Sequence, residues 1–117
     1  MKNQSLPRRL RFARAGLAEA FVGESSFRTH VLATVVVFAG LLWLRPAPLW
    51  WAILSLTVAL VLAAELVNTA IECLADHLHP ETHPRIRVVK DCAAAAVLVV
   101  SLAALAVGAA FVVDLLR

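Results

Sequence analysis

The sequence predicts an all-α integral membrane protein: an N-terminal amphipathic surface helix followed by three transmembrane helices. Three observations lead there. Of the 117 residues, 62% are apolar, against about half in an ordinary soluble domain. Three apolar segments approach the roughly 18 residues that mark a bilayer span. The basic residues gather ahead of the first segment and between the second and third. A chain this short, mostly in lipid, leaves no room for a separate soluble domain. One membrane domain is expected over residues 1–117.

The first element, expected over about 6–24, contains RRLRFARAGLAEAFV at residues 8 to 22. Arg8, Arg11 and Arg14 recur at spacing three, while Leu10, Phe12, Ala13, Leu17, Ala20 and Phe21 fall near one helical face. A basic amphipathic helix of this kind lies in the membrane interface. An RNA-binding stripe is the less favoured reading, because the rest of the chain is lipid-like. No secretory leader is expected, since no apolar core precedes a small-residue cleavage site.

The first span is expected over about 27–45, with Val31–Leu44 as its purely apolar part. Arg45-Pro46-Ala47-Pro48 ends it, because two prolines in three residues cannot continue a regular helix. The second span, about 49–78, opens on the interfacial pair Trp50-Trp51. His79-Pro80-Glu81-Thr82-His83-Pro84 is a polar, proline-bearing connection. The third span, about 86–114, has its apolar body at Ala93–Val113 and closes with Asp114 and Arg117. Its run Ala93–Ala96 suits close helix approach. Cys73 and Cys92 lack metal-ligand or disulfide spacing and are expected as small residues at helix contacts.

Lys2, Arg8, Arg9, Arg11, Arg14 and Arg28 fall within the first 30 residues, and Arg85, Arg87 and Lys90 follow the second span; only Arg45 and Arg117 mark the other side. The positive-inside bias then places the N-terminus and the second connection in the cytoplasm. Glu24, Glu65, Glu72, Asp76, Lys90 and Asp91 all fall toward that side.

The stretch AAELVNTAIECLAD, residues 63–76, carries the chemistry. Asn68, Glu72 and Asp76 follow Glu65 at +3, +7 and +11, which at 100° per residue is one narrow face. An ionised carboxylate near a bilayer costs several kcal/mol unless paired, metal-bound or hydrated. One reading packs this face against Arg28, Arg85, Arg87 or Lys90 and so fixes helix register. The other makes it functional. Carboxylates without His or Cys partners suit magnesium, which keeps waters and takes phosphate oxygens as further ligands. That points to nucleotide chemistry at a membrane surface, although neither familiar glycine-rich phosphate loop is present. Glu24 and Arg28 are four apart and are expected as a helix-surface ion pair worth a few tenths of a kcal/mol. Lys90-Asp91 at the entry to the third span reads equally as a solvated interface pair.

Together, GESSFRTH at 23–30, AAELVNTAIECLAD at 63–76 and VVKDCAAAAVL at 88–98 resemble the prokaryotic diacylglycerol kinase family of integral-membrane lipid kinases. Their order and separations match over nearly the whole chain. The resemblance implies a homotrimer in the bacterial cytoplasmic membrane that moves the γ-phosphoryl of ATP, with Mg2+, to a lipid hydroxyl. By position it implies Glu65 as general base and Glu24 and Glu72 as magnesium ligands. Asn68, Asp76, Lys90 and Asp91 are implied around the nucleotide, with Glu81, His83 and Phe12 as further contacts. Ser26, Phe27, Arg28, Thr29, His30 and Trp43 fall where the family meets lipid. The chain departs from the proteobacterial enzymes in having His30 for an acid, Ala94 and Ala13 for serines, and NTAIE for NSAIE. In these it looks more like the undecaprenol kinase branch. Diacylglycerol, giving phosphatidic acid, is the expected acceptor and undecaprenol the alternative. A small membrane transporter using intramembrane carboxylates and a purely structural membrane subunit are the readings from other classes. Lys90-Asp91 and Glu24 separate them, because a proton relay does not require these residues and a magnesium–nucleotide site does.

Overall fold

A computed structural model describes residues 3–117. Lys2, counted in the basic N-terminal balance, lies outside the described residues. Four helices follow in order: α1 (Leu6–Gly23), α2 (Ser25–Leu44), α3 (Pro48–Leu78) and α4 (Pro84–Leu116). Every expected element is present, each within about two residues of its expected ends. Pro7, Pro48 and Pro84 all lie in first helical turns, where a missing N–H removes no intrahelical bond. The α2–α3 corner is sharp because Arg45 adopts a left-handed conformation, with φ 47° and ψ 58°, immediately before Pro46.

The last three helices are long and apolar enough to cross a membrane. The α3 and α4 helices are the main packing pair, with α2 against α3 and α1 against both α2 and α3. The buried apolar residues are few: Ala20, Phe27, Leu41, Leu54, Val61, Ala75 and Ala93. Large side chains such as Leu32, Val36, Leu56, Leu98 and Leu105 face outward, as lipid-facing surfaces do when lipid rather than water is the solvent. On α1, Leu10, Phe12, Leu17 and Phe21 are likewise exposed and only Ala20 is buried, so its apolar face is turned away from the chain's own core.

Two local features correct the sequence reading. Arg28 does not pair with Glu24: its Nη1 donates to the carbonyls of Phe21 at 2.8 Å and Val22 at 2.9 Å. The cause is the backbone of Glu24, which is extended (φ −122°, ψ 112°) and breaks α1 from α2. Without a continuous helix, four residues of separation no longer bring two side chains onto one face. Cys73 and Cys92 are exposed, not set into helix contacts.

The far end of the bundle is closed by a bond that the sequence does not advertise. Trp50 Nε1 donates to Asp114 Oδ2 at 2.9 Å, and the Trp50 ring lies 5.1 Å from that of Phe111. This ties the start of α3 to the end of α4.

Candidate active site

Glu65 sits on α3 where that helix faces the first turns of α2. It is the only buried charged residue among those described, with 4% of its surface exposed. Two groups on α2 reach it, and both reach the same atom. Ser26 Oγ donates to Glu65 Oε1 at 2.8 Å, and His30 Nε2 stands 3.1 Å from that oxygen. Ser26 and His30 are four apart, one helical turn, so they present a common face to α3. The buried carboxylate is thereby satisfied by a hydroxyl and an imidazole, with no Lys or Arg side chain paired to it, and such partners are the condition for keeping it in a poorly hydrated place.

Three residues further along α3, Asn68 keeps a buried Oδ1 with no hydrogen-bond partner. An orphaned amide oxygen of this kind is rare in a folded chain, and its loss of water costs about 1–3 kcal/mol. A turn beyond it Glu72 is half-buried, and after another turn Asp76 forms an ion pair with Lys90 of α4. That pair is open to solvent, with 62% of the Asp76 side chain and 35% of the Lys90 side chain exposed. Beside it a cavity of about 200 Å³ is lined by His79, Glu81, Thr82, His83, Arg87 and Lys90. In the α3–α4 connection His83 Nδ1 accepts from the Arg85 N–H at 3.1 Å, capping α4, and His79 Nδ1 lies 2.8 Å from the Glu81 carbonyl. The polar face of α3 therefore runs from a buried, hydrogen-bonded acid to a solvated end rich in cations.

The structure thus brings Ser26 and His30 to Glu65, and gathers Asp76, Lys90, Glu81 and His83 at the connection. Other expected site residues stand apart. Glu24, half-buried at the α1–α2 corner, borders a separate cavity of about 640 Å³ between α1 and α3, alongside Gly16, Glu19, Thr69 and Cys73. Asp91 and Phe12 are exposed. Phe27 is buried, Thr29 Oγ1 donates to the Ser25 carbonyl at 3.1 Å, and Arg28 holds the α1 terminus. Trp43 is 86% exposed and lies thirteen residues along α2 from His30, about 20 Å at the helical rise. The contact of His30 with Glu65 was not foreseen. Its signal was the i, i+4 pair of polar residues at the start of an otherwise apolar helix.

Among the described residues no three His, Cys, Asp or Glu side chains gather closely enough to form a metal cluster. Magnesium does not require one: it is bound by one or two carboxylates, with water and substrate phosphates completing six oxygens. Glu24 and Glu72 are hard oxygen donors, and neither makes an ion pair among the described residues. The donor set fits that ion.

The model of the prokaryotic diacylglycerol kinase family matches residues 11–112, which include both clusters. The chain belongs to that family. A diacylglycerol kinase of Synechocystis sp. is 38% identical over 99 residues, covering 84% of this chain and 57% of the relative. The Escherichia coli diacylglycerol kinase is 32% identical over 84 residues, covering 72% of this chain and 69% of its own length. That of Pseudomonas aeruginosa is 35% identical over 85 residues, with 73% and 69% covered. The chain therefore matches just over half the length of the cyanobacterial relative and about two thirds of the others.

Proposed function

We propose that this chain is a bacterial membrane lipid kinase that transfers the γ-phosphoryl group of ATP to the hydroxyl of a lipid alcohol, with diacylglycerol as acceptor and phosphatidic acid as product. The observation that carries the reading is Glu65: a buried carboxylate, hydrogen-bonded through one oxygen, on the same helix face as a solvated cationic end. Membership of the diacylglycerol kinase family supports the same reaction.

A lipid acceptor arrives within the bilayer and ATP from water, so the two must meet along a face running from one medium to the other. Glu65, at the apolar end of that face, is the base. Its carboxylate accepts the proton of the acceptor hydroxyl as the oxygen attacks the γ-phosphorus. The bond from that phosphorus to the ADP oxygen breaks, and ADP leaves with its electron pair. Lys90, with Arg87 nearby, offsets negative charge on the phosphates, while Asp76 holds Lys90 in place. Asn68, with its free amide oxygen, and Asp91, Glu81, His83 and Phe12 complete the nucleotide contacts. Phosphoryl transfer asks little covalent chemistry of a protein and much positioning and charge neutralisation, which suits a site composed of acids, amides and cations. Glu24 and Glu72 would hold magnesium, which when bound neutralises phosphate charge and helps to align the nucleotide.

The family resemblance implies a homotrimer, in which a neighbour's helix would complete what one chain leaves open. The basic N-terminus and second connection support a cytoplasmic placement for both. The decisive experiment reconstitutes the purified chain in lipid with radiolabelled ATP and offers diacylglycerol and undecaprenol side by side, with and without magnesium. Magnesium-dependent label in phosphatidic acid is the expected result. Label in undecaprenyl phosphate alone would move the acceptor to the second lipid, and label in neither would remove the kinase reading.

A further inference from the structure

Ser26 and His30 do something more specific than satisfy a buried acid. Both address Oε1 of Glu65, at 2.8 and 3.1 Å. A carboxylate oxygen offers about two lone-pair directions. Two donors on Oε1 therefore occupy that atom, and no side chain of the described residues bonds Oε2. His30 Nε2 must carry a proton to donate to a carboxylate, so it has no lone pair with which to act as a base itself. Its ring also forms part of the wall of an apolar cavity of about 430 Å³, lined by Val37, Leu54, Val61, Leu105 and Gly108 among others. The imidazole stands between the carboxylate and a space of lipid-like character.

From this geometry we infer that His30 and Ser26 are a pair of positioning residues, which clamp Glu65 through Oε1 so that Oε2 alone is presented to the proton of the acceptor hydroxyl. The inference rests on the kinase reading above and deepens it. A carboxylate on a flexible two-methylene stem has several rotamers. Two bonds from successive turns of α2 leave it one. Orientation of this kind matters in turnover and not in substrate affinity, because misplacing a reacting group by about 1 Å costs on the order of 100-fold in rate.

The test compares the full-length wild-type chain in lipid with His30→Phe, His30→Gln, Ser26→Ala and the Ser26→Ala/His30→Phe double variant. Phenylalanine keeps a ring and removes the donor; glutamine places an N–H near the position of Nε2. The expected result for His30→Phe is a kcat lower by about 10- to 100-fold with the KM for ATP within about threefold. His30→Gln should recover most of that kcat. Ser26→Ala should lose less, and the double variant should depart from the product of the two single effects, as for two groups acting on one atom. Should His30→Phe fail to fold, the glutamine and Ser26→Ala variants carry the comparison. An independent readout is the 15N resonance pair of the His30 ring, which should move when Glu65→Leu removes the acceptor. An active wild type whose His30→Phe variant keeps full kcat, a His30→Gln variant as impaired as His30→Phe, or ring resonances indifferent to Glu65→Leu would each overturn the clamp and leave the kinase reading standing. A wild type that labels no lipid overturns the kinase reading, and the clamp with it.

Discussion

Replacing Arg28 by Ala should loosen the surface helix without unfolding the bundle. The last carbonyls of a helix lack intrahelical donors. At the end of α1 the Ala20 carbonyl is taken by the Glu24 N–H, and those of Phe21 and Val22 are taken by one guanidinium nitrogen of Arg28, at 2.8 and 2.9 Å. A charged donor in a buried hydrogen bond contributes about 1.5–3 kcal/mol; Arg28 is exposed, so the pair together falls at the lower end of that range. The attraction of a cation to a helix C-terminus adds about 0.3–1 kcal/mol and overlaps with the same bonds. A total near 1.5 kcal/mol is expected, equivalent to about a tenfold shift in the local opening equilibrium. Amide hydrogen exchange in lipid reads it directly: the amides of the last α1 turn and of Glu24 should exchange about tenfold faster, while those of Ala93–Val113 in α4 stay unchanged. Arg28→Lys should recover only part of the protection, because an ammonium is more strongly hydrated than a guanidinium and gives up water less readily for the two carbonyls. Unchanged exchange at the α1 terminus, or an equal acceleration throughout α4, would refute the reasoning.

Three further outcomes are expected. Glu65→Gln should reduce lipid phosphorylation by about 10²- to 10⁴-fold, the usual worth of a general base, with ATP binding by equilibrium dialysis intact; a variant retaining half its activity removes Glu65 from that role. Asp114→Ala and Trp50→Phe each break the same closure at the far end, so a double-mutant cycle on unfolding in denaturing detergent should show a coupling of about 1 kcal/mol, whereas simple additivity would mean that the contact contributes little. Lys90→Met should leave the unfolding midpoint almost unmoved, since solvent screens an exposed ion pair, yet raise the KM for ATP; an unchanged KM counts against its phosphate role.

The helices were legible in the sequence because their breaks are covalent facts. Pro46, Pro48, Pro80 and Pro84 restrict the backbone whatever the surroundings, and the apolar runs between them leave little choice of solvent. The polar face of α3 was legible for the same reason, since Glu65, Asn68, Glu72 and Asp76 need only helical periodicity to align. What escaped depended on how one element meets another. The bond from Trp50 to Asp114 joins residues 64 apart, and the convergence of Ser26 and His30 on one oxygen depends on the rotation of α2 against α3. Arg28 does not reach Glu24 for a local reason: the extended backbone of Glu24 parts α1 from α2, so the i, i+4 rule of a continuous helix does not apply there.

The unequal lengths of α2 and α3 act as a depth gauge. α2 has 20 residues and α3 has 31, or about 30 and 46 Å at the helical rise; a hydrocarbon layer of about 30 Å accommodates the first and is overshot by the second. If Pro48 marks one boundary, Glu65 lies about 4 Å inside the other, and Asp76 about 12 Å beyond it. Glu65 is then submerged and the cationic end clear of lipid. Bilayer thickness becomes a setting of the enzyme: a thicker membrane draws Glu72 under the surface, and a thinner one lifts Glu65 out, so one intermediate thickness should sustain the fastest turnover.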